Sequence, residues 1–65
     1  MKYSEKFVNK FKEVTPEWFN TTVQYGLLAE VMITFKNETQ DLDVGSMSEQ
    51  YFLTSINNAM IEWDI

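Results

Sequence analysis

Residues 15–36 constrain this chain more than any other stretch. Thr15-Pro16-Glu17 opens it with three helix-start signals in a row. They are a threonine that can cap, a proline where the first turn needs no N–H, and an acid beside the positive helix end. An apolar series then runs Trp18, Tyr25, Leu28, Met32, Phe35, and a second series, Phe19, Val23, Leu27, Val31, steps by four along a largely opposite side. A helix that is apolar on two sides must be enclosed, so the pattern predicts one continuous central helix over 16–36. Gly26 falls in its middle, where glycine costs about 1 kcal/mol relative to alanine. The expected reason is the close approach of another backbone, with a break into two shorter helices as the competing reading.

On either side of this segment the spacing predicts one further helix. Tyr3, Phe7, Phe11 and Val14 form one stripe of an amphipathic helix over 4–14, flanked by a ridge of Lys2, Lys6 and Lys10. The helix ends before Pro16, since the residue preceding proline is pushed out of helical geometry. Ser46-Met47-Ser48-Glu49 matches a capping box, and a third helix over 47–63 carries Phe52, Leu53, Ile56, Ala59, Met60 and Trp63 as its apolar stripe. Thr54, Ser55, Asn57, Asn58 and Glu62 take its polar side, leaving Tyr51 and Ile61 off the stripe. Residues 37–45 read as a polar loop in which Leu42 and Val44 tuck against the core.

The expected fold is therefore all-α, a small three-helix bundle forming a single domain over 1–65. The alternative is α+β. Val31 to Lys36 is rich in β-branched residues and alternates, so residues 31–44 also fit a hairpin. A lone hairpin without a third strand is a weak element, which favours the helix.

A chain of 65 residues buries only about 60% of its unfolded surface and leans on dense packing or a second copy. Without cysteine, no disulfide braces it, and without histidine most structural zinc arrangements fall away. Two tryptophans, three tyrosines and five phenylalanines supply the apolar area instead, and argue against disorder. The net charge of −5 is unevenly placed: residues 1–12 carry +3 and the remainder −8. Phosphate backbones would be repelled by most of such a body, which disfavours direct nucleic-acid binding.

Catalytic chemistry has little to work with. A nucleophilic triad lacks both its histidine and any cysteine. The close carboxylate pairs, Asp41 with Asp43 and Glu62 with Asp64, fall in wet settings with no pocket to shift a pKa. Read as a calcium loop from Asp41, the sequence puts glycine at position 5 and phenylalanine at 12, so the register fails. The chain is expected not to be an enzyme and to hold no metal or cofactor. Asn20-Thr21-Thr22 and Asn37-Glu38-Thr39 match glycosylation acceptors by chance, since no signal peptide is visible. No run approaches the roughly 20 apolar residues of a membrane span, and the cytoplasm is the expected location.

More apolar surface is present than three helices can shelter. Phe19, Val23, Leu27 and Val31 are the expected interface of a homodimer, the commonest symmetric solution. Tyr51, Ile61 and Trp63 are the expected anchors for a larger protein partner, with Glu62 and Asp64 on the rim. This points to a non-enzymatic protein-binding module: a small inhibitor, adaptor or regulator, in the style of viral or phage proteins that interfere with a host. The alternative is an acidic decoy that imitates nucleic acid and blocks a nucleic-acid-binding protein, supported by the acidic balance after residue 12.

Overall fold

The computed structural model describes residues 3–65, and all of its regular structure is helical. Helix α1 spans Tyr3–Val14, α2 Pro16–Gln24, α3 Leu28–Glu38 and α4 Glu49–Glu62, with a single 3-10 turn at Val44–Ser46. The all-α expectation is met. Among the described residues there is no strand, and Val31 to Lys36 is helical.

The continuous central helix is overturned. It is two helices, divided at Tyr25, Gly26 and Leu27, and the glycine explains the division. Gly26 sits at φ +70°, left-handed backbone in which a side chain is strained, and its N–H donates to the Val23 carbonyl at 3.0 Å. The next N–H, of Leu27, donates to the Thr22 carbonyl at 3.1 Å. This pair of bonds is a Schellman motif, the commonest glycine-assisted helix ending. Close backbone approach is not the reason for the glycine, because a Cβ added there would meet nothing within 4 Å. With the break in place, α2 packs against α1 as a flank, while α3 packs against α4.

Helices α3 and α4 end the same way without glycine. Gln40 and Asp64 take the left-handed position at φ 57° and 58°. The N–H groups of Asp41 and Ile65 then reach back to the carbonyls of Lys36 (3.0 Å) and Met60 (3.1 Å). Helix starts also differ from expectation. Thr15 makes no side-chain cap, although Pro16 does occupy the first turn. The cap of α4 is Ser48, whose hydroxyl accepts from the Tyr51 N–H at 3.1 Å. Ser46 is unavailable for a capping box because its hydroxyl donates to Asp43 Oδ2 at 3.1 Å.

The core is built from α1, α3, α4 and the 3-10 turn. Phe7, Phe11, Val31, Phe35, Phe52, Ile56 and Ala59 have no exposed surface, and Val44 closes one end. Phe7 lies 5.3 Å from Phe11, 5.1 Å from Phe35 and 6.1 Å from Phe52, while Phe35 and Phe52 are 4.8 Å apart, all tilted. Such offset ring pairs add stabilisation beyond the area they bury. Trp18 and Phe19 pack on the cluster from α2, Phe19 edge-on to Phe11 at 5.4 Å. Ser55, expected on the polar side, is buried: it falls between Phe52 and Ala59 on the same face. The buried hydroxyls of Thr22 and Thr39 are spent inside their own helices, on the carbonyls of Trp18 (2.8 Å) and Phe35 (3.0 Å).

Helices α3 and α4 run antiparallel, as two cross-links show. Asn58 donates to Glu38 at 3.3 Å, and Trp63 Nε1 donates to Thr34 Oγ1 at 2.7 Å. Helix α1 is fastened to the loop by Lys10, whose ammonium donates to the carbonyls of Met47 (2.7 Å) and Val44 (3.3 Å) while lying 5.7 Å from the Phe52 ring. Lys6 continues this ridge towards Asp43; Lys2 lies outside the described residues.

Two outcomes follow. Replacing Gly26 by alanine imposes a left-handed penalty of about 1 kcal/mol, whereas a mid-helix glycine would have gained about that much on the same change; urea denaturation reads the sign. Lys10→Met keeps the aliphatic stem but removes the charged donor from two carbonyls, and should lower stability by about 1–2 kcal/mol in the same assay.

Candidate functional site

The expected partner-binding residues do not form one surface. Tyr51 is 41% exposed, Ile61 65% and Trp63 38%, yet Ile61, in the last turn of α4, and Trp63, its C-cap, fall on nearly opposite sides of the helix axis. Ile61 points away from the core. Trp63 caps the C-terminal end of α4 on the side facing α3, with its indole N–H held by Thr34. Glu62 and Asp64 are exposed beside them. The expected dimer residues are likewise dispersed. Val31 is wholly enclosed in the chain's own core, Phe19 and Leu27 are half-buried against it, and only Val23 is open, at 48%.

Tyr51 instead belongs to a site that helical spacing alone does not reveal. An open groove of about 480 Å³ lies where the α3–α4 loop meets the first turn of α4. Leu42, Asp43, Ser46, Met47, Ser48 and Tyr51 line it. Contrary to expectation Leu42 does not tuck inward: it is 52% exposed, while Val44 and Met47 are buried beneath the loop. Apolar residues two apart in a loop carry no periodic signal that distinguishes the inward from the outward one. Sequence reasoning had only the general mark of a polar loop interrupted by leucine.

The loop is stiffened by Asp43. Its Oδ1 accepts from the Gly45 N–H at 3.2 Å and from Lys6 at 3.3 Å, and its Oδ2 accepts from Ser46. These bonds, led by the Gly45 amide, hold the Asp43 carboxyl below its ordinary value of 3.8. A carboxylate held ionised in this way is an acceptor, not a proton donor. Nearby, burial raises the Tyr3 phenol above its ordinary value, against the opposing pull of the Thr39 hydroxyl. The negative charge of Asp41 and the phenol of Tyr51 add smaller contributions to that rise.

A second, shallower groove of about 330 Å³ is lined by Lys6, Asn9, Lys10, Glu13, Val44 and Gly45. Its two lysines are already engaged with Asp43 and the loop carbonyls. Among the described residues no group of three carboxylates converges to hold a metal ion, and no helix is long and apolar enough to cross a membrane.

Compared with models of known families, with curated proteins and with solved structures, the chain matches none. Function has to be read from its own surface.

The Asp43 bonds carry a pH signature. Because its folded pKa is depressed, the stabilisation they give is complete above the unfolded value and lost as pH falls through the folded one. Carbon-13 NMR of the carboxyls should show Asp43 protonating below 3.8, and Asp43→Asn should flatten the acid limb of the stability curve in that window.

Proposed function

We propose that the chain is a non-enzymatic protein-binding module, a small inhibitor, adaptor or regulator working in the cytoplasm. The observation that supports this reading best is the pairing of Leu42 and Tyr51 at one open groove, since neither exposed side chain serves the core. Scattered apolar residues on a surface need no explanation, but two that share a concave site do. Tyr51 is thus the anchor of the proposed docking surface and Leu42 its companion. Ile61 and Trp63, with Glu62 and Asp64, lie at the other end of α4 and form a secondary contact at most.

Self-association is the finer part of the proposal. Val23 and Tyr25, 48% and 61% exposed at the α2–α3 corner, are what remains to support it. A nucleic-acid decoy has weaker support, because the nine acids after residue 12 are scattered along helices and loop rather than spaced in rows as phosphates are.

Affinity capture from a lysate of the source organism tests the module. The expected result is a protein retained by the native chain and lost with Tyr51→Ser; an identical set with both chains overturns the docking surface. Light scattering of the purified protein should give twice the 7.7 kDa chain mass, and a single-chain mass removes the dimer from the proposal.

A further inference from the structure

The chemistry of the segment that would fill the groove is also legible, granted the protein-binding reading above. Met47, only 9% exposed, forms the floor between the exposed walls Leu42 and Tyr51. Leu42 is turned outward by strained backbone: Gln40 and Asp41, neither of them glycine, occupy the left-handed region at φ 57° and 63°. At Gln40 this costs about 1–2 kcal/mol, and less at Asp41, whose short polar side chain tolerates the region; non-glycine strain of this kind gathers where a chain holds a functional side chain in place. Beyond Leu42 the Asp43 side chain locks the turn through Gly45 and Ser46. One wall of the groove is therefore fixed before anything binds, which lowers the entropy lost on binding.

The surrounding charge selects the occupant. Residues 37–65 contain six acids and no lysine or arginine, and Asp41, Asp43 and Glu49 adjoin the groove in sequence. Lys6 reaches Asp43 at 3.3 Å and Lys36 reaches Asp41 at 3.8 Å, but through exposed pairs. Pairs of that kind are worth little and exchange readily for a partner's cation. A second copy of this chain fits less well: its exposed Ile61 and Trp63 sit among Glu62 and Asp64, its exposed Val23 and Tyr25 have no lysine within four residues, and its exposed Ile33 has a single lysine nearby, Lys36. An anionic lipid surface would be repelled.

We propose that the groove receives a short segment of another protein in which one bulky apolar side chain is flanked by lysine or arginine. The apolar side chain seats on Met47 between Leu42 and Tyr51, and the flanking cations meet Asp41, Asp43 and Glu49. The volume of about 480 Å³ lies within the roughly 300–1,000 Å³ of sites that enclose a compact ligand.

Selection of random twelve-residue peptides against the intact protein tests this. Synthetic versions of the winners are then measured by fluorescence anisotropy. Tyr51→Ser and Leu42→Ser serve as controls; both positions are exposed, and circular dichroism verifies their helicity. Asp41→Asn removes a rim charge while keeping a residue type that tolerates left-handed backbone. The expected winners carry an apolar residue beside lysine or arginine, bind either serine variant at least about tenfold more weakly, and weaken with Asp41→Asn and with added salt. Winners with an apolar residue but no basic flank overturn the charge assignment and leave the binding module standing. Winners indifferent to both serine variants, or no enrichment at all, overturn the groove, while the module is still judged by lysate capture. Sedimentation showing a dimer that Tyr51→Ser dissolves assigns the groove to a second copy instead.

Discussion

Four phenylalanine rings hold this fold together. Phe7 and Phe11 arrive from α1, Phe35 from α3 and Phe52 from α4, and Phe7 touches the other three within 6.1 Å. Phe7, Phe35 and Phe52 join segments distant in sequence, so the cluster is both a large buried apolar mass and the device that closes the chain. A body this small has little else to offset its conformational entropy. Losing one ring to alanine removes about 3–5 kcal/mol, a large part of what a small domain possesses.

Around that cluster, polar groups act as fasteners. Lys10 ties α1 to the carbonyls of Val44 and Met47, Trp63 ties α4 to Thr34, and Asp43 ties its own loop. Lys10 shows why residue type alone misleads. In the sequence it belongs to a basic ridge; in the fold its ammonium completes the hydrogen bonding of a turn more than thirty residues away. The same loop that Lys10 secures carries the groove, so the stability of the N-terminal helix and the shape of the candidate site are physically linked.

Periodicity made α1 and α4 legible. Tyr3, Phe7, Phe11 and Val14 on one side, and Phe52, Ile56, Ala59 and Met60 on the other, are core-facing residues that the 3.6-residue repeat identifies. It misled at Gly26, where apolar spacing runs on through a helix end and hides it. The glycine was the available signal, and read as a helix terminus it would have divided the segment. No glycine marks the ends at Gln40 and Asp64: glutamine seldom adopts left-handed backbone, and aspartate, which does so more readily, is too common elsewhere to signal a helix end. Half of the groove could be read, because Tyr51 stands off the apolar stripe of α4. Leu42 could not, because its direction is set by the dihedral angles of the two residues before it.

Those two residues have an implication for how the chain tolerates change. Gln40 and Asp41 are exposed and bury nothing, so a ranking by burial would leave them free to vary. Their backbone permits no such freedom: valine, isoleucine or threonine there would be resisted by the main chain itself, with no neighbour to blame. In a saturation scan this corner should appear as an island of intolerance in open water, drawn by torsion angles alone.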